Sequence, residues 1–252
     1  GYPYTLSIRD RRPDFEIKIG GKDPKVSPGS GRELSFTVER HEGFDGEVRI
    51  DVVDLPDGFT SSSPIIIEAG QRSALGVLRA SPEAEDPGVA ADQAVHLTAS
   101  AMVGGRELVR DLGTLGDIQL GESAKLTLAI RPLSETEASA TKDEAQPLEF
   151  VIRPGETISA RVLAERHDFE GRIELGNADS GRNLPHGLYV DNIGLNGLLI
   201  VEGQSEREFF ITAAPWVSPM RRAFHLRASA DGGQVSAPAF IRVVEPSEAP
   251  SS

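Results

Sequence analysis

The stretch "ERHEGFDGEVRIDVVDLPDGF", Glu39 to Phe59, returns in altered form as "ERHDFEGRIELGNADSGRNLPHGL", Glu165 to Leu188. Each copy carries Glu-Arg-His, a Phe near an acid-Gly pair, a short alternating apolar run and Leu-Pro-x-Gly. The match continues outward. "PGSGRELSFTVERHEGF" from Pro28 answers "PGETISARVLAERHDF" from Pro154, "EAGQRSALGVLRA" from Glu68 answers "VEGQSEREFFITA" from Val201, and "HLTASA" at His96 answers "HLRASA" at His225. The offset is 126 at His41 and His167, 133 at Gly70 and Gly203, and 129 at His96 and His225. It changes only between blocks, as it does when loops vary and strands are kept.

Within the blocks the period is two. Leu34, Phe36 and Val38 share one side, as do Val48, Ile50 and Val52; Ile158, Ala160 and Val162, then Ile173 and Leu175, repeat the pattern. Such alternation marks half-buried strands. Clusters such as "SPGSG", "LPDGF", "EAGQ" and "NADSGRN" separate them, each rich in residues with turn chemistry. Short strands with regular turns and no long amphipathic helix predict an all-β chain, and a period near 129 residues is far too long for a solenoid unit. The expected architecture is two tandem immunoglobulin-like β-sandwich domains, at 14–121 and 122–246. Residues 1–13 read as a strand or linker from a preceding domain, and 247–252, rich in Pro, Ser and Glu, as a disordered tail. The repeated corner predicts that Phe44 and Phe169 are both buried against the inner faces of matching sandwiches.

Composition removes several functions. With 39 acidic against 26 basic residues the net charge is -13, which repels nucleic acid and anionic membrane surfaces. No run approaches the roughly 18 apolar residues of a membrane span. Cysteine is absent, so thiol catalysis, thiolate metal sites and disulfides are excluded.

The segments "YPYTLSIRDRRPDFEI", "HEGFDGEVRIDVVDLPDGF" and "IIIEAGQRSALGVLRASPEAEDPG" resemble repeats in large secreted proteins of planctomycete-type bacteria, in which an immunoglobulin-like module follows a pre-peptidase C-terminal (PPC) domain. The resemblance covers most of residues 1–101, and the second copy follows it more loosely. It implies secretion to the periplasm, medium or cell surface, a β-sandwich, and no catalytic residues. Partners are then expected to be other domains or subunits of a larger extracellular assembly, with polysaccharide as the alternative.

Candidate chemistry is sparse. His41 and His167, and His96 and His225, are repeat equivalents without the spacing of a metal site, so hydrogen bonding at strand ends is the expected role. His186 replaces Asp57 in its turn and is expected in solvent. No Gly-x-Ser-x-Gly elbow occurs. Asn177, Asp179 and Asn183 give a faint oxygen-rich loop of the kind that holds calcium, but without the terminal bidentate Glu of an EF-hand. Trp216, the only tryptophan, and Tyr189 sit in or beside loops, where an aromatic either covers a sandwich edge or the domain junction or stacks on a sugar or a partner. Arg221 and Arg222 form a small basic spot able to meet an acidic neighbour. No cofactor and no catalytic residue are expected. The leading expectation is a non-catalytic spacer or interaction module, with a carbohydrate-binding accessory module as the alternative.

Overall fold

A computed structural model describes residues 3, 9–88, 94–133, 147–176, 180–191 and 197–245. The N-terminal strand expected before residue 9, the tail after 246, and Asn177 and Asp179 lie outside the described residues.

Alternation places one side of each strand in a core. In the first half, β1 (Asp14–Gly20), β3 (Gly31–His41), β7 (Ser73–Ala80) and β5 (Phe59–Ser61) form one antiparallel sheet, in the order β1-β3-β7-β5. Opposite it lies the sheet β6-β4-β8-β9, made of β6 (Ile65–Ile67), β4 (Val48–Val53), β8 (His96–Val103) and β9 (Arg106–Gly113). A short parallel pair, β2 (Lys25–Val26) and β10 (Gln119–Leu120), completes this half. Leu34, Phe36, Val38, Val48, Ile50 and Val52 all point between the sheets and are buried, as their period-two spacing requires.

The second half repeats the first of these sheets strand for strand and divides the facing layer differently. β11 (Leu126–Pro132), β13 (Thr157–Arg166), β17 (Glu206–Ala213) and β15 (Leu188–Asp191) follow the order β11-β13-β17-β15. Facing them are β12 (Glu149–Ile152), β19 (Ala239–Val243) and β18 (Met220–Phe224), in the order β12-β19-β18, and the pair β14 (Ile173–Glu174) and β16 (Leu199–Ile200). Its core, built on Phe150, Ile158, Val162, Ile173, Phe209 and Phe224, is separate from that of the first half. The fold is therefore an all-β sandwich in each half. Among the described residues no helix is long and apolar enough to cross a membrane.

The repeated corner has a physical reason centred on its arginine. Arg40 donates from Nη1 to the carbonyl of Gly46 (2.6 Å) and from Nη2 to those of Glu68 (2.9 Å) and Gln71 (3.0 Å). Arg166 makes the matching bonds from Nη1 to the carbonyl of Gly171 (2.6 Å), from Nη2 to that of Val201 (3.2 Å) and from Nε to that of Gln204 (3.0 Å). Each guanidinium ties the turn after its own strand to the turn that opens the next long strand, and lies over Phe44 or Phe169. The glycine of the acid-Gly pair makes room for that ring: a Cβ on Gly46 would lie 2.9 Å from Phe44 and force it to shift, and one on Gly171 would lie a tight 3.2 Å from Phe169. The two rings differ in depth. Phe44 is buried, whereas Phe169 packs on the core only partly buried, because Phe44 has Phe15 beside it at 5.4 Å and the matching strand β11 brings the smaller Leu126 to that place, opposite Arg166. The Leu-Pro-x-Gly turns close alike, Phe59 N–H donating to the Pro56 carbonyl and Leu188 N–H to that of Pro185.

Candidate functional site

The most elaborate polar chemistry among the described residues lies where the two halves meet. Residues 121–125 alone join β10 to β11, and the Lys125 amide donates to Asp231 (2.7 Å). Across this junction the outer face of β3 and β7 meets one end of the second half. Glu33 is the centre. Its carboxylate takes a forked pair of bonds from Arg182, Nε at 2.8 Å and Nη2 at 2.6 Å, and a third from His225 Nε2 at 2.9 Å.

The charges on these groups follow from burial and partners. Burial alone would raise the Glu33 pKa, but the bonds from Arg182 and His225 outweigh it and hold the carboxyl down at about 2. Burial also dominates at His225, lowering its pKa against the opposing pull of Glu33. At neutral pH the histidine is therefore neutral and its Nε2–H donates to an ionised Glu33. A forked arginine–carboxylate contact of this kind is directional as well as strong, so it fixes orientation and not merely contact.

A second acid, Glu68, stands at the turn before β7. Arg222 Nη1 reaches it at 2.5 Å and the His186 backbone N–H at 3.0 Å. Burial lowers the Arg222 pKa, with Glu68 opposing the shift. Between these groups Asn183 uses both ends of its amide: Oδ1 accepts from the Leu75 N–H (2.9 Å) and Nδ2 donates to the Ala223 carbonyl (2.8 Å). Its left-handed backbone, φ 64°, aims the side chain across the junction, and asparagine is among the few non-glycine residues that adopt it readily. Ser30 with Gln234, and Arg32 with the Gly232 carbonyl, close the other margin. A cleft of about 330 Å³ remains beside Glu68, Asn183, His186 and Arg222.

The sequence-selected residues scatter around this junction. Arg221 and Arg222 point apart on β18: Arg221 pairs with Glu149 and lies over Phe240, while Arg222 is buried against Glu68. Trp216 is 61% exposed, lies 5.1 Å from the His186 ring at a 45° tilt and comes so close over Gly187 that a Cβ there would be 2.7 Å away. Tyr189 stands half in solvent on β15 and His186 is exposed. His41, His96 and His167 stay near strand ends, but His225, the repeat equivalent of His96, is buried between the halves. Among the described residues the one acid-histidine group with metal-like proximity is Glu16, Glu39 and His41 at the surface, where Glu39 already binds Lys18. Sequence reasoning missed Glu33, Glu68 and Arg182. The signal was there as departures from the repeat: Ser159 stands where Glu33 does, Val201 where Glu68 does and Val53 where Arg182 does.

No family model matches the chain, and no curated protein sequence is similar to it. Among solved structures, domains 5-6 of the S-layer protein SbsC are similar at 14% identity, covering 94% of this chain and 100% of that one, with a TM-score of 0.29. The D0-D1 domain of intimin shares 11% identity over 90% of this chain and 97% of its own, TM-score 0.28. The fibronectin(III)-like modules of Clostridium thermocellum CbhA share 14% over 94% and 98%, TM-score 0.24. Scores this low do not bear on function.

Proposed function

We propose that the chain is a non-catalytic pair of immunoglobulin-like modules, 14–121 and 122–246, that holds neighbouring parts of a larger secreted or cell-surface bacterial protein at a fixed separation. The observation that carries this reading is the buried junction. Glu33, Arg182 and His225 form a directional contact between two separate cores, and a spacer that sets distance and angle needs such a contact, whereas a flexible tether does not. The resemblance at residues 1–101 to modules that follow PPC domains supports a secreted setting. The other domains of that larger protein are the expected partners.

A spacer of this kind is tested by distance. The chain has no cysteine, so spin labels are introduced cleanly at the exposed positions Glu107→Cys and Glu170→Cys, one per half. A single narrow distance distribution is expected at neutral pH. A broad one refutes a fixed separation, and limited proteolysis that fails to release two stable cores refutes the module boundaries.

One observation favours a second reading, a carbohydrate-binding accessory module. The Trp216 indole is held against Gly187 and His186 yet presents most of its area to solvent beside a polar cleft, which suits stacking on a sugar ring. A glycan array with Trp216→Ala as control tests it, and binding untouched by the substitution removes this residue.

A further inference from the structure

The cleft of about 330 Å³ at the junction is built by both halves, with Glu68, Gln71 and Ser73 from the first and His186, Gly187 and Arg222 from the second. Its volume is at the lower end of the range for small-molecule sites.

Two independent observations point to a ligand there. Arg222 is only 8% exposed, and its buried Nε has no hydrogen-bond partner among the described residues. Buried donors in native proteins are nearly always paired, so this one marks a place where an acceptor belongs. The other observation is an aromatic pair that the first half lacks. His186 stands where the matching turn has Asp57, and Gly187 faces Trp216 where Gly58 faces Ala84. The second half thus departs from the repeat at both members of the pair, and His186 lines the cleft.

The lining selects the chemistry of the ligand. Glu68 and Arg222 meet at 2.5 Å and offset each other's charge, so neither an anion nor a cation finds an uncompensated partner. The net charge of -13 repels an anion besides. What the cleft offers is a balanced set of donors and acceptors. The Arg222 Nε–H donates and the Glu68 carboxylate accepts; the Gln71 amide and the Ser73 hydroxyl, without partners among the described residues, do both. A ligand rich in hydroxyls, which also donate and accept, matches such a set, and a ring with an apolar face matches the indole beside it.

We infer that this cleft binds an uncharged saccharide, seated between the halves on Gln71, Ser73, Glu68 and Arg222, with the Trp216 indole as its stacking surface. The inference rests on the carbohydrate-binding reading and deepens it: the site belongs to neither half alone, so the sugar bridges the junction.

Calorimetric titration of the full chain with cellobiose, maltose and N,N′-diacetylchitobiose tests this, with glucose against glucuronate as the charge comparison. Saturable binding of a neutral disaccharide is expected, and glucuronate should bind more weakly than glucose. Gln71→Ala, in the first half, should weaken binding about fivefold, the worth of one hydrogen bond, and leave the melting temperature unchanged. Trp216→Ala, in the second half, should weaken it at least as much. Binding that depends on Trp216 but not on Gln71 would overturn the inference and leave the carbohydrate reading standing. Failure of all three neutral disaccharides to bind, or a preference for glucuronate over glucose, would also overturn it. A glycan array without a single hit would remove the carbohydrate reading as well, while the spacer reading is decided by the label distances alone.

Discussion

Replacing Glu33 with alanine removes the one group that Arg182 and His225 share. The cost can be worked from the carboxyl itself. Its pKa falls from the ordinary 4.5 to about 2, which at about 1.36 kcal/mol per tenfold change in proton affinity makes its surroundings favour the charge by about 3 kcal/mol. An independent route gives the same size: removing one partner of a buried ion pair costs about 3 to 5 kcal/mol because the other charge is left without compensation. Both side chains keep slight solvent access, 13% for Glu33 and 18% for Arg182, which favours the lower end. Urea unfolding of the full chain should therefore show Glu33→Ala losing about 3 kcal/mol. Glu39→Ala, on the same strand but exposed and paired only with Lys18, should change nothing measurable. The decisive form is a double-mutant cycle with Arg182→Ala. The double variant should be more stable than the sum of the single losses by well over ~0.5 kcal/mol, the scatter expected for independent sites. Additive losses within that scatter would refute the claim that this pair carries the junction.

Acid should undock the halves in two stages. Undocked, His225 takes up its proton near 6.5 and Glu33 near 4.5, whereas docking lowers both, Glu33 to about 2; the docked form binds fewer protons across this range, so its stability falls as pH falls, first below 6.5 and then from 4.5 towards 2. The distance distribution between labels in the two halves should broaden over that range, and a distribution unchanged at pH 3 would contradict it. Phe44→Ala should cost about 3 to 5 kcal/mol, and Phe169→Ala clearly less because its ring is only partly buried; equal losses in thermal melts would refute the difference in depth. Gly187→Ala places a methyl 2.7 Å from the Trp216 indole at a residue with φ 91°, so the melting temperature should drop and the emission of the only tryptophan should shift as the ring is displaced.

The strands were legible because a sandwich core imposes a period of two on its inner residues, and Leu34, Phe36 and Val38 obey it without interruption. The corner was legible as a repeat, but its cause was not. Arg40 and Arg166 read as polar strand ends, and only the approach of the Glu68 and Val201 carbonyls, some 30 residues onward, makes each a clamp. The junction was hidden for a related reason. Glu33 alternates with the buried Leu34 and so reads as a solvent-facing position; the surface that covers it is supplied by Arg182 and His225, some 150 to 190 residues away. Local pattern reports which side of a strand faces its own core. It is silent on which outer face meets another sandwich, and so on why His225 is buried while His96, its repeat equivalent, is not.

The parallel pairs at the edges of each half decide how the chain bears a pull. In the first half β2 near the entry lies parallel to β10 at the exit, and in the second β12 lies parallel to β19. Tension along the chain drags the two members of each pair in opposite directions along their length, so their hydrogen bonds are loaded together in shear and do not open one at a time. The pairing spans Lys25–Val26 against Gln119–Leu120 in the first half but the whole of Glu149–Ile152 in the second. With the shorter ladder to share the load, the first half should yield at lower force than the second when the chain is pulled by its ends, paying out its length while the second still holds its shape; equal rupture forces in single-molecule pulling would refute this.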